Sequence, residues 1–262
     1  MKENVRKGVY IVPTLFTCGN MTFGFLSMLS SIDGFFTRAA WFLICAIVCD
    51  MLDGRIARMT KTSSEFGVQM DSLSDLISFG LAPATMMYML GLKSMGKIGV
   101  AIAVFFVLCS ALRLAKFNVM ANDGIVHKTF IGLPTPASAG VIISFVLSYE
   151  LLSPSGQTLN FKTIPMLMDS MPIFFKIMPV VMICLSFLMI SNVPYWSFKK
   201  VKLSRPKAMR IIVLLVVAAI LVLVFPQNIF FILFSVYALS GIVMYISRFL
   251  FRKFPQKNKE DK

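Results

Sequence analysis

Apolar residues run along this chain in long blocks separated by short polar breaks, and these blocks set the first expectation. A helix needs about 20 apolar residues, at about 1.5 Å each, to cross about 30 Å of hydrocarbon. About eight stretches meet that requirement: 9–32, 38–56, 70–91, 97–117, 131–152, 172–191, 210–226 and 229–248. The clearest breaks are the 153–171 linker, which holds Ser153, Pro154, Ser155 and Gly156, and the Pro226, Gln227, Asn228 turn. No internal repeat is visible. The pattern predicts an all-α, polytopic membrane helix bundle of about eight transmembrane helices, forming one domain over 1–262, with 210–250 as an additional C-terminal helix pair. The first block follows Lys2, Arg6 and Lys7, as a signal peptide would. It is nevertheless long, interrupted by polar residues and without a small-x-small cleavage site, so it is expected to stay as a helix.

Composition narrows the class. The chain is 57% hydrophobic and only 15% charged, with a mean hydropathy of +0.80, which excludes an ordinary soluble globular protein. A net charge of +14 would suggest nucleic acid in a soluble chain. Here it fits loops facing anionic lipid, and no nucleic-acid partner is expected. Placing the N-terminus, 54–70, 113–130, 192–210 and the C-terminus on one side gathers all of the 26 Lys and Arg residues except Arg38, Lys93, Lys97, Lys162 and Lys176. That side is expected to be cytoplasmic, giving an integral, multi-pass protein of a prokaryotic plasma membrane with both termini inside. The basic run from Lys199 to Arg210 then rests against headgroups. Five Cys without a CxxC and a single His, His127, leave no disulfide scaffold and no zinc site built by local spacing.

Asp50, Asp53, Asp71 and Asp75 stand out because they fall at the ends of two predicted membrane helices, where ionisable groups are costly and usually functional. The first two are three apart and the last two are four apart, so each pair occupies one helical face. A short loop joins the two helices, which predicts antiparallel neighbours whose acidic faces converge just beneath the inner interface. Four carboxylates so placed repel unless cations lie between them. Oxygen ligands without His or Cys point to Mg2+ or Mn2+, and four carboxylates suit a pair of ions clamping phosphate oxygens. Gly54 and Ala57 clear space beside Asp53, Arg58 can aim a guanidinium at a phosphate, and Gly67 keeps bulk away from the Asp71 face. In the first helix Thr17, Asn20, Gly24 and Ser27 form a small, polar strip that either contacts a nucleotide or joins helices.

Taken together, Asp50, Asp53, Gly54, Ala57, Arg58, Gly67, Asp71 and Asp75 stand at the spacing of the CDP-alcohol phosphotransferase signature, which occupies 50–75. Three further stretches resemble its phosphatidylserine synthase branch: 71–83, 111–118 and 130–137, followed by Ser191, Asn192, Val193, Pro194 and Tyr195. The resemblance implies the CDP-alcohol phosphotransferase fold, usually a homodimer embedded in bilayer lipid. It also implies a site at which CDP-diacylglycerol gives its phosphatidyl group to L-serine with release of CMP. Carried onto this chain, it makes Asp50, Asp53, Asp71 and Asp75 the ligands of two metal ions and Asp75 also the general base. Gly54, Ala57, Arg58, Gly67, Thr17 and Asn20 become contacts of the CDP moiety. For the serine carboxylate or a lipid phosphate the sequence offers Arg113, Lys116 and Asn118. Two mild departures are Thr14 after Pro13, where Asn is expected, and Lys116, where Arg is usual.

Glycerol phosphate or inositol phosphate as acceptor, an intramembrane prenyltransferase and a metal-ion transporter are the competing readings. Prenyltransferase acid motifs normally lie much farther apart, and a transporter has no need of Gly54, Ala57 and Arg58. The charge distribution itself makes a prediction: a reporter fused after Lys262 is active only on the cytoplasmic side. Activity of an exported reporter at that position would mean that a helix has been miscounted.

Overall fold

A computed structural model describes residues 2–60, 64–122, 130–150 and 173–195, with parts of 229–244. The predicted span at 210–226, the 153–171 linker, His127 and the basic run Lys199 to Arg210 lie outside the described residues. The elements are α1 (Lys2–Ile32), α2 (Phe36–Thr60), α3 (Glu65–Asp75), a π-helical turn (Leu76–Leu81), α4 (Ala82–Leu90), a short 3-10 turn (Leu92–Met95), α5 (Lys97–Asn122), β1 (Phe130–Ile131), α6 (Thr135–Glu150), α7 (Ile173–Ile190) and β2 (Pro194–Tyr195). A further helical stretch covers 232–238. Apart from one two-residue antiparallel pair, the described residues are helical, as the hydropathy pattern predicts.

Among the described residues, three segments are long and apolar enough to cross a membrane: Pro13–Ile32, Glu65–Leu90 and Lys97–Met120. Their outward faces agree with that role. On α5, Val104, Leu108 and Leu112 follow one another at four-residue steps and are all exposed. A continuous apolar face of this kind is unfavourable in water and natural against lipid tails. The inward faces carry small and hydroxylated residues instead, among them Ser27, Ser30, Ser31, Ser78 and Ser110, which let helices approach closely.

α1 turns into α2 through Asp33, Gly34 and Phe35. Gly34 takes a left-handed φ of 82°, and the Phe35 N–H donates to Ser30 O at 2.8 Å. Such a tight link forces α1 and α2 to lie antiparallel along each other. α1 also packs against α3 and α4. The two acid-bearing helices are therefore organised around α1 rather than by a direct hairpin between them.

α3, the π turn and α4 form one rod from Glu65 to Leu90. Ser64 caps it, its Oγ accepting the Gly67 N–H at 3.0 Å, and Glu65 adds negative charge to the first turn. The mid-rod distortion follows from Pro83. Its ring excludes the carbonyl four residues back and it has no N–H to donate, so the turn widens, and the Ala82 N–H reaches Ile77 O instead. Gly80 in this turn faces Ser110 of α5, and a Cβ on Gly80 would lie 3.0 Å from Ser110 Oγ.

One boundary differs from the expected helix at 131–152. α6 begins at Thr135, because Phe130 and Ile131 pair with Tyr195 and Pro194. Gly132 then turns with φ 80°, its N–H donating to Val193 O at 2.9 Å. Pro134 leads into the new helix.

Where α1 crosses the π turn, Gly24 packs on Ser78: a Cβ would overlap Ser78 Oγ and lie 2.8 Å from Ser78 Cα. Backbone at both sides leaves little room to yield. Gly24→Ala is therefore expected to cost about 1–3 kcal/mol and to lower the thermal midpoint in detergent. An unchanged midpoint would mean that α1 and the π turn can separate at this crossing without penalty.

Candidate active site

α2 and α3 each present two acids one helical turn apart, as the spacing predicts. One carboxylate oxygen from each of Asp50, Asp53 and Asp71 lies within 4.8 Å of the others. Asp75 sits one turn further along α3 and accepts Asn20 Nδ2 at 3.3 Å. Asp53 and Asp75 are buried, while Asp50 and Asp71 are half-buried. Carboxylates gathered within 4.8 Å of one another repel unless a proton or a cation lies between them.

The donor set fits a hard divalent cation. Asp53 Oδ2 and Asp71 Oδ1 are buried and without a hydrogen-bond partner, which is costly unless something outside the chain binds them. All the converging atoms are carboxylate oxygens, the ligands that Mg2+ and Mn2+ prefer.

α1 forms the floor of the site. Ser74 Oγ donates to Thr17 O at 3.0 Å, and Ser78 Oγ donates to Asn20 O at 2.9 Å. These two bonds clip the third helix to the polar strip of the first and aim Asn20 at Asp75. Asn20 Oδ1 remains a buried acceptor without a partner. The Thr17 hydroxyl lies within hydrogen-bonding reach of Asp53 and in this structure donates to Pro13 O at 3.1 Å. Ser27, the last member of the strip, is fully buried. The strip thus holds the acids in place, a role that its own sequence spacing did not show.

The residues between the acids divide by environment. A Cβ on Gly54 would meet nothing within 4 Å, so packing does not require glycine there and the space is open to a ligand. Ala57 is half-buried beside it. Gly67 lies in the capped first turn of α3, where a Cβ would stand 3.1 Å from Ser64 Oγ. The Arg58 side chain lies outside the described residues.

Of the three tentative anion-binding residues, the structure brings one to the acids. Arg113 is an electrostatic neighbour of Asp75; its Nη1 donates to Thr135 Oγ1 at 2.8 Å, and its Nε is buried without a partner. Lys116 is exposed and donates to Asn192 Oδ1 at 2.9 Å. Asn118 Nδ2 donates to Ser72 Oγ at 2.8 Å, tying α5 to α3. Sequence reasoning missed Ser72, Ser74, Ser78 and Thr135 as partners. Ser74 and Ser78, four apart and one residue out of phase with Asp71 and Asp75, were the available signal.

Clustered carboxylates on two apolar helices suit an enzyme that acts on lipid-linked phosphates, and the comparison with known proteins agrees. Residues 10–169 match the family model described as CDP-alcohol phosphatidyltransferase. The chain belongs to that family. It is 32% identical over 241 residues to the CDP-diacylglycerol–serine O-phosphatidyltransferase of Helicobacter pylori strain ATCC 700392 / 26695, covering 91% of this chain and 92% of that protein. It is 42% identical over 139 residues to the archaetidylserine synthase of Methanothermobacter thermautotrophicus, covering 52% of this chain and 58% of the relative. With the Bacillus subtilis CDP-diacylglycerol–serine O-phosphatidyltransferase it shares 33% over 144 residues, 54% of this chain and 80% of that protein.

The orphaned acid oxygens generate a test that does not depend on turnover. Mg2+ or Mn2+ added to the purified protein is expected to raise its thermal midpoint in proportion to the logarithm of concentration, and EDTA to reverse the rise. Asp53→Asn and Asp71→Asn should flatten that response. A metal-independent midpoint would show that the cluster does not bind these ions.

Proposed function

We propose that this chain is a CDP-diacylglycerol–serine O-phosphatidyltransferase. It transfers a phosphatidyl group from CDP-diacylglycerol to the hydroxyl of L-serine, giving phosphatidylserine and CMP. The observation that carries the reading is the convergence of Asp50, Asp53 and Asp71 with Asp75 held beside them by Asn20, in a chain that aligns almost end to end with the Helicobacter enzyme. The bacterial and archaeal relatives share serine in their names although the lipid part differs. That favours serine over glycerol phosphate or inositol phosphate, and family membership sets aside the prenyltransferase and the transporter.

In this reading Asp50, Asp53, Asp71 and Asp75 hold two Mg2+ or Mn2+ ions. When bound, such ions bind the diphosphate of the donor and neutralise the charge that develops on departing CMP. Gly54 leaves the open space for the cytidine nucleotide, with Ala57, Arg58, Gly67, Thr17 and Asn20 around it. Asp75 takes the proton of the serine hydroxyl as that oxygen attacks the phosphorus bearing the diacylglycerol. The bond from this phosphorus to the serine oxygen forms, and its bond to the CMP phosphate breaks. Unaided, an aliphatic hydroxyl loses its proton with difficulty, so a carboxylate held in place by Asn20 supplies what the step requires. Arg113, anchored by Thr135, offers Nε and its remaining N–H groups to the serine carboxylate in a planar, two-point grip. The site works within a multi-pass bundle of about eight spans with both termini cytoplasmic, assembled as a homodimer.

Purified protein incubated with CDP-diacylglycerol and a panel of serine, glycerol phosphate and inositol phosphate should yield phosphatidylserine alone, identified by chromatography of the lipid product. A product from another acceptor would overturn the serine assignment. Asp75→Asn is expected to lower kcat by about 10² to 10⁴ and to leave donor binding far less affected. Near-normal turnover in this variant would remove Asp75 from the role of base.

A further inference from the structure

Asn118, in the last two turns of α5, ends in an amide whose orientation is fixed by a chain of two hydrogen bonds. Its Nδ2 donates to Ser72 Oγ at 2.8 Å, and Ser72 Oγ donates in turn to Val68 O at 3.1 Å, one helical turn back. A serine hydroxyl has a single proton. Because that proton lies on Val68 O, Ser72 accepts from Asn118 and has nothing to give it, so the nitrogen of the amide is the end turned to α3. The oxygen is left over. Asn118 is half-buried, and among the described residues its Oδ1 has no partner.

The two helices place this oxygen relative to the acids. The short turn Leu92–Met95 joins α4 to α5, so α5 runs back antiparallel to the rod that begins with α3. It packs closely on the π turn and on α4 but not on α3, and at the acid end the side chains of Asn118 and Ser72 bridge the gap. Ser72 precedes Asp75 by three residues, which makes the two neighbours on the helix surface with Cβ atoms about 5–6 Å apart. At 1.5 Å per residue, Asp75 lies about 4.5 Å further into the bundle than Ser72, and Arg113 about 7.5 Å further in than Asn118. The level of Asp75 therefore falls between the free amide oxygen and the guanidinium.

A small molecule with its hydroxyl at Asp75 meets a planar cation on one side and a neutral oxygen acceptor on the other. Serine carries a carboxylate and an ammonium on the carbon next to its hydroxymethyl group, so its two charged ends match these two partners. Asp71 and Asp75, on either side of Ser72 in the sequence, favour a cation at this position over a second anion.

We propose that Asn118 Oδ1, held in this orientation by Ser72, accepts a hydrogen bond from the ammonium of the amino-acid acceptor and so selects an amino acid over alcohols that carry no positive charge. The inference rests on the reading of the site as a serine transferase with Arg113 at the carboxylate. It makes Asn118 the partner of a cation rather than of a carboxylate or a lipid phosphate, and Ser72 the residue that positions it.

The test uses the full chain in detergent or lipid, with KM for serine, KM for CDP-diacylglycerol, kcat and the thermal midpoint measured for each variant. Asn118→Leu is expected to raise the serine KM about ten- to a hundredfold while the donor KM stays nearly constant. Asn118→Asp keeps an oxygen toward the ammonium, and should recover most of the affinity that Asn118→Leu loses. Ser72→Ala frees the amide to turn over and should raise the serine KM about two- to tenfold. Combined with Asn118→Asp, whose two oxygens are equivalent, Ser72→Ala should add little further.

A serine KM that rises as much in Asn118→Asp as in Asn118→Leu would mean that Asn118 faces an anion, and overturns the proposal. An unchanged serine KM in Asn118→Leu, with a raised one in Arg113→Lys, overturns it too and leaves the serine reading standing. If Asn118→Leu lowers the midpoint too far for assay, Asn118→Asp decides: a serine KM near that of the unsubstituted chain supports the proposal, and a rise of about tenfold or more overturns it. Absence of phosphatidylserine from the unsubstituted chain overturns the underlying reading and the proposal with it.

Discussion

Mutual repulsion among four acids at the edge of a low-dielectric bundle is the constraint around which this structure is arranged. At about 4 Å and an effective dielectric near 20, two like charges cost about 4 kcal/mol, and burial removes the water that would otherwise soften this. Helix propensity alone does not hold Asp50, Asp53, Asp71 and Asp75 together. The chain meets the cost with groups that fix the acids and leave ligand positions open. Asn20 donates to Asp75, and Ser74 and Ser78 bond to the α1 backbone, while Asp53 and Asp71 each keep an orphaned oxygen. The same features that make the acids repel one another suit the cluster to divalent charge.

The bilayer supplies the second condition. Exposed apolar residues line the outer faces of α1 and α5, among them Phe25, Leu29, Val104 and Leu108, so the bundle is solvated by lipid tails rather than by water. A donor whose chains stay in that solvent has only to bring its headgroup to the acids. On the proposed reading serine, which is fully polar, arrives from the aqueous side. The acids lie in the last three turns of α2 and the first three turns of the Glu65–Leu90 rod, a position from which one site can meet both.

Much of this was legible from residue order, and the reason is locality. Apolar runs report membrane helices because the bilayer thickness sets their length. The acid pairs report shared faces because three and four residues make about one helical turn. What could not be read depends on contacts across long stretches of chain. Asn20 meets Asp75 55 residues away, and no spacing within α1 distinguishes that job from nucleotide binding. The start of α6 at Thr135 rather than near 131 depends on the pairing of Phe130 with Tyr195. Thr135 sits in plain apolar surroundings, and only the fold shows that Arg113 donates to it. The expected neighbour relation of α2 and α3 is a partial case. Their acids meet, but α1 packs against both and organises them.

The π turn at Leu76–Leu81 bears on how such a chain tolerates change in length. One residue advances a helix by about 100°, so the widened turn absorbs an extra residue and lets the two halves of the rod keep separate rotational phases. Both halves pack on α1, and the π turn and the apolar half also reach α5. A single-residue deletion here would leave the hydropathy of the span intact and its length ample for the bilayer, so the membrane would not sense the loss. The phase between the halves would shift by more than a quarter turn, swinging Asp75 off its neighbours or Gly80 off Ser110. Residue count in this segment is therefore under a constraint that lipid insertion does not impose, and an intact membrane protein without a working acid cluster is the expected form of its failure.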